Sequence, residues 1–180
     1  INADVAQTTL KLDSTVLNGK KCYHGSLKGK TQKIYEQVFK LKEDFDCWFT
    51  CDDFKPMKFT RDCLEGSYWC TNLYTYKADH IDAKINNSKK GEFSVSLPMD
   101  DCTYDVAMIL YLIRNMDASR LKVGGRYPMT YAIDHHIRNI HFVYMGIENR
   151  KVSGKGVVRC HKFGFEVPKG ETFDGERDLF

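Results

Sequence analysis

Apolar and polar residues alternate along much of this chain, and the alternation changes in a few places only. In "TTLKLDSTVLNGKKCYHG", Leu10 and Leu12 fall on one side and Lys11 and Asp13 on the other, the period of a half-buried strand. Asn18-Gly19 follows, a dipeptide suited to a type I′ hairpin turn because both residues accept positive φ. Two β-rich arms flank Glu65-Gly66 in "KFTRDCLEGSYWCTNLYTY", and "HIDAKINN" and "EFSVSL" flank "SKKG"; these predict two further hairpins. After the loop "DASRLKVGGR" come three more strand-like runs, "YPMTYAID", "IRNIHFVYMGIE" and "VVRCHKFGFEV".

Two stretches have a helical period instead. "TQKIYEQVFKL" places Ile34, Val38 and Leu41 at i, i+4 and i+7 beside Tyr35 and Phe39, which predicts a short helix capped by Thr31. "DDCTYDVAMILYLIRNMD" predicts a stronger one. Asp101 or Thr103 can accept N–H bonds from its first turn, Asp105 complements the positive end of the dipole, and Arg114 suits the other end. The run "VAMILYLI" between them has no polar side, so the helix should be buried nearly all round, with Ile109, Leu110, Leu112 and Ile113 all inside.

Together these elements predict a mainly β (α+β) fold: a strongly curved antiparallel sheet or open β-barrel, with a central buried helix and one short extra helix. Strands seldom alternate with helices, which argues against a doubly wound parallel sheet. With no internal repeat or linker, residues 1–180 read as a single domain. The chain starts at Ile1, and "GERDLF" ends on an apolar pair after a turn, as though a strand had begun. Native residues are therefore expected to be missing at one or both ends.

Charge alters this picture little. Lys and Arg number 27 against 24 Asp and Glu, a formal net charge of +3, and the cations are interspersed in runs no longer than pairs such as Lys20-Lys21. No basic stripe marks a nucleic-acid face, and no segment approaches a membrane span of about twenty apolar residues. The eleven Phe, ten Tyr and two Trp suit strands and a large core or pocket. Seven cysteines, an odd number at irregular spacing, are not the framework of a small disulfide-stapled domain.

Site chemistry is sparse. His135, His136 and His141 in "DHHIRNIHF" invite a metal reading, but Asp134, His135 and His136 read as a solvated hairpin turn. His136 and His141 differ by an odd number and oppose each other on a regular strand. Cys47 and Cys51 would lie roughly 13 Å apart on an extended strand, too far for one zinc or one disulfide. If Leu64 pairs with Ser67, Cys63 and Cys70 share a face diagonally and a strained bridge is conceivable. Cys160-His161, or Cys22 with His24, could supply a thiol and a base, yet neighbours on a strand face apart and no oxyanion turn accompanies them. Cys160 is expected to be buried. No metal, cofactor or catalytic residue is assigned, and the sequence points away from an enzyme.

One resemblance covers nearly the whole chain. "DDCTYDVAMILYLIRNMD", "LKVGGRYPMTYAID" and "GKGVVRCHKFGFEV" resemble the exported bacterial, Bacteroidetes-type family called domain of unknown function 3108. Tyr104, Asp105, Tyr111 and Arg114 match its helix, and Gly124, Gly156, Cys160 and Lys162 its later pieces. "KPMKFTRDCLEGSYWCTNLYTY" resembles its upstream hairpin. The resemblance implies a Gram-negative envelope protein, exported to the periplasm or envelope through a signal peptide since removed, with no established activity. It also implies a strand before Ile1 and a strand-turn after Phe180.

The leading functional expectation is an apolar or amphipathic ligand, such as a lipid, held in the concavity of the sheet. Tyr104, Met108, Tyr111 and Arg114 are the candidate pocket residues. The alternative is a structural or protein-interaction module, binding an envelope partner through exposed strand edges. A hydrolase with an unrecognised site is the least favoured.

Overall fold

The structure is a computed structural model that describes residues 5–166. The strand expected to begin at the end of "GERDLF" lies outside the described residues. Two compact units are present, one comprising residues up to 114 with 132–137, the other 115–131 with 138 onward.

The first unit is built on seven antiparallel strands in sequential order: β1 (Ala6–Leu17), β2 (Lys20–Thr31), β3 (Leu41–Thr50), β4 (Pro56–Glu65), β5 (Tyr68–Tyr76), β6 (His80–Asn87) and β7 (Gly91–Pro98). The β1–β2, β4–β5 and β6–β7 connections are short turns, as the pattern expects. Asn18 (φ 51) and Gly19 (φ 76) are both left-handed, as a type I′ turn requires. The second hairpin turns at Gly66-Ser67 (Gly66 φ 62), one residue later than Glu65-Gly66.

Register decides which residues share a face. Tyr23, Gly25 and Leu27 of β2 stand beside Phe49, Cys47 and Phe45 of β3, and Cys47 beside Phe59 of β4, then Tyr74 of β5 and Ala83 of β6. This inner face carries the core, with Cys47, Phe49, Phe59, Tyr74 and Ile81 fully buried. The opposite face, with Lys11, His24, Lys28, Asp44 and Asp46, is polar.

A short strand β8 (Thr103–Asp105) leads into helix α1 (Val106–Arg114), which packs on β2 and β3. Ala107, Tyr111 and Met108 lie within an arc of about 100° around the axis and are buried, as is Ile109. Leu110, Leu112 and Ile113 are only half-buried, contrary to the expectation of burial all round. A helix of about two and a half turns laid on a sheet presses one side against it, whatever the character of the other.

The short extra helix does not form. Residues 31–41 hold a single 3₁₀ turn, Lys33–Tyr35, and Ile34, Val38 and Phe39 are exposed. Their helical spacing finds no surface to pack against, and an isolated segment of this length cannot sustain a helix. Thr31 instead accepts the Leu41 N–H at its Oγ1 (2.9 Å), pinning the start of β3.

The second unit contains most of β9 (Arg126–Ile133), β10 (His136–Val152) and β11 (Gly156–Glu166), with β10 paired antiparallel to β11. Tyr127 stacks on Phe142 with ring centroids 5.0 Å apart, and the Tyr127 hydroxyl accepts the Lys122 N–H at 2.8 Å. The loop "KVGGR" needs its glycines: Gly124 has φ +79, and a Cβ on Gly125 would meet the Lys122 carbonyl oxygen at 2.8 Å. No closed barrel forms among the described residues, and no helix there is long and apolar enough to cross a membrane.

Candidate functional site

Helix α1 starts where Asp105 ends β8. The Asp105 carboxylate Oδ1 accepts the Met108 N–H at 2.8 Å, an N-cap closing one of the free donors of the first turn. Thr103 does not share this role; its hydroxyl donates to Asp100 Oδ1 at 2.7 Å. Asp105 is fully buried, and its Oδ2 finds no hydrogen-bond partner among the described residues, nor does the buried Tyr76 hydroxyl. Burial raises the Asp105 carboxyl to about 7, the N–H bonds opposing the shift only in part.

The four expected pocket residues occupy different environments. Met108 is fully buried in the core cluster with Cys47 and Phe49. Tyr111 is buried against Phe49, 5.7 Å between centroids, and its hydroxyl donates to the carbonyl oxygens of Lys11 and Ser26. Its ring lies so close to β2 that a Cβ on Gly25 would fall 2.4 Å from it. Only glycine fits there. Tyr104 is half-buried against the same cluster, and Arg114 is exposed at the end of the helix. Three of the four thus converge on the core, and Arg114 does not.

A second constellation on the inner face has no counterpart in the sequence reading. Arg61 of β4 is buried, 8% exposed, beneath three carboxylates. Its Nε and Nη2 donate to the two oxygens of Glu43 at 3.0 and 2.5 Å, and Nη1 donates to Asp134 Oδ1 at 3.0 Å. Glu65 lies 3.6 Å away. Asn72 Nδ2 donates to the same Asp134 oxygen at 3.0 Å, and the Tyr74 hydroxyl donates to the Asp134 carbonyl at 2.6 Å. Burial works against the Arg61 charge, but Glu43 more than restores it; burial likewise raises Glu43 despite Arg61.

This cluster corrects the reading of Asp134 to His136 as a solvated turn. Asp134 (φ 51) is an anchor, His135 meets Phe93 edge-on at 5.7 Å, and all three residues are half-buried. The signal that could have found it is the charge of Arg61 at a position whose strand neighbours Phe59 and Cys63 are core residues. Within the cluster the guanidinium and the carboxylates of Glu43 and Asp134 satisfy one another.

The other sequence candidates stay apart. His24 Nε2 bonds Asp46 Oδ1 at 2.8 Å and stacks on Trp48, while Cys22 is fully buried. His161 Nδ1 bonds the Tyr144 hydroxyl at 2.8 Å, and Cys160 is half-buried rather than buried. Among the described residues no group of three or more His, Cys, Asp or Glu is placed to hold a metal ion.

On the polar face of β1 to β3 runs a groove of about 790 Å³, lined by five lysines, among them Lys11 and Lys28, and by Asp13, Glu36, Asp44 and Asp46. Beside it β1 forms the edge of the sheet among the described residues. β1 pairs with β2 at twelve consecutive positions without a bulge, and none of its residues is buried. Leu12 and Val16 are exposed on its inner side.

No curated protein and no solved structure matches this chain. The family model described as "Protein of unknown function (DUF3108)" matches residues 1–179, and the chain belongs to that family.

Proposed function

We propose that this protein is a non-catalytic interaction module that receives an extended segment of a partner polypeptide as an added strand along β1. The observation that carries this reading is the edge itself. A long edge strand presents a row of unpaired N–H and C=O groups, and folded proteins usually blunt such edges with proline, bulges or charge. β1 has twelve residues, no proline, no bulge and the single lysine Lys11. The opposite edge, β7, is shorter and ends on Pro98.

The two sides of β1 specify the partner's pattern. An added strand would set alternate side chains beside Leu10, Leu12 and Val16, and the others beside Lys11, Asp13 and the charged groove. The fitting partner is a segment alternating apolar and charged residues. An exported protein of the envelope, as the resemblance implies, would meet it outside the cytoplasm. A lipid held in the concavity has less support, because Met108 and Tyr111 already fill the face over Gly25 and Phe49 with their own side chains.

The test uses the peptide AQTTLKLDSTVL, the sequence of β1 itself, whose alternation fits its own edge. Added to the full chain, it should bind and slow hydrogen exchange at alternate amides of β1, and Leu12→Lys with Val16→Lys should abolish both effects. Unchanged exchange in β1 at millimolar peptide counts against the reading. A co-purified lipid seen by native mass spectrometry and lost in Met108→Trp would move the function to the concavity.

A further inference from the structure

We infer that Cys63 and Cys70 are a reversible dithiol–disulfide site. They are direct cross-strand partners in the β4–β5 register, not diagonal neighbours as a turn one residue earlier would make them. Directly opposed residues in an antiparallel pair have Cα atoms about 4.5–5.5 Å apart, within the window a disulfide spans. Both side chains project onto the inner face and are essentially fully buried, so their positions are set by packing rather than by mobile surface chain.

The chemistry around them favours a thiolate within the pair. The thiols are hydrogen-bonding partners, and the Arg61 guanidinium acts on both. Burial opposes a thiolate on either sulfur, and the Arg61 charge favours one on either. The two thiols titrate as a pair, and whichever sulfur is deprotonated is the attacking thiolate, its partner the resolving thiol.

The oxidant is a low-molecular-weight disulfide reaching the pair as the hairpin end opens. The thiolate of one cysteine attacks one of its sulfurs, its S–S bond breaks, and the first small thiolate leaves and takes a proton. The other cysteine then loses its proton, attacks the protein sulfur of the mixed disulfide and displaces the second small thiolate, which takes up that proton. Two protein thiols are oxidised by two electrons, and one small disulfide becomes two thiols. The ring so closed is only the hairpin Cys63–Cys70, and short rings constrain the unfolded chain least. That favours a bond that opens again over a permanent staple.

The experiment equilibrates the full chain in buffers of graded glutathione and glutathione disulfide. A parallel sample is oxidised in urea and refolded, so that burial alone cannot hide the pair. Each sample is quenched in acid, unfolded, alkylated and cleaved after Glu65 and Tyr68. The expected product is a peptide pair linked through Cys63 and Cys70, lighter by two hydrogens. It should rise with the glutathione disulfide fraction and vanish on reduction, while Cys70→Ser leaves Cys63 fully alkylated. Formation by either route supports the site. Alkyl groups on both cysteines under every condition, or a bond from either to a different cysteine, overturns it.

Discussion

The inner face of the seven-stranded sheet is filled in two ways, and β3 passes through both. Two residues at a time, its inward side chains run Phe49, Cys47, Phe45 and then Glu43. Under α1 the face is aromatic and sulfur-rich, closed by Met108 and Tyr111; toward Glu43 it is charged, closed by Arg61 and Asp134. Both parts are buried, yet they differ in what they demand. Apolar packing is non-directional and needs only that the volume be filled, whereas a buried guanidinium needs carboxylate oxygens at particular points or its desolvation goes uncompensated.

The sharpest test of that contrast is Arg61→Ala. It leaves Glu43 and Asp134 without their cation, so it should cost roughly 3–5 kcal/mol, read as a fall in urea midpoint. Arg61→Lys should recover only part, because an ammonium cannot reproduce the fork on Glu43. A loss smaller than that of Met108→Ala would erase the distinction between the two parts.

At the boundary of the aromatic part, Asp105 couples the helix cap to pH. Its folded carboxyl is raised by burial to about 7, above the ordinary value of 3.8, so the folded state holds the proton more tightly. Its stabilisation is fully present below the unfolded value and is lost as pH rises from about 4 through about 7, by on the order of 4 kcal/mol. Stability measured from pH 4 to 8 should fall accordingly, and Asp105→Asn should remove most of that slope. An unchanged slope in the variant would assign the dependence elsewhere, Glu43 being the next group raised by burial.

Within the helix the effect should divide by side. Met108→Ala should cost about 3 kcal/mol because the packed site collapses only in part, and Ile109→Ala should be comparable. Leu110→Ala and Ile113→Ala, on half-buried positions, should cost about half as much. Equal losses across 106–113 would restore a helix buried all round. The smallest effect is that of Tyr111→Phe, which removes the hydroxyl bonds to Lys11 and Ser26 and should cost about 1 kcal/mol.

Hairpins were legible wherever the turn chemistry was local. Asn18-Gly19 specifies its turn by the positive φ both residues tolerate, and "SKKG" joins β6 and β7 as its flanks suggest. The cap at Asp105 was legible for the same reason, since carboxylate and amide lie three residues apart. Of the candidate site, Met108 and Tyr111 could be picked out by their place in an apolar run, though not the partners they meet. The helical spacing of Ile34, Val38 and Phe39 misled because spacing records amphipathicity, not whether a surface exists to receive it.

Alternation and turn residues alone determined three antiparallel hairpins of the large sheet, β1–β2, β4–β5 and β6–β7, because each is closed by a short local turn. Register and long-range approach were decided by tertiary structure. A one-residue difference in the hairpin turn converts Cys63 and Cys70 from diagonal neighbours to direct partners. Asp134 reaches Arg61 across 73 residues of sequence, and Tyr111 reaches Lys11 across 100. No local pattern encodes such meetings. They arise when burial brings distant segments onto one face and the polar groups carried along must find partners there.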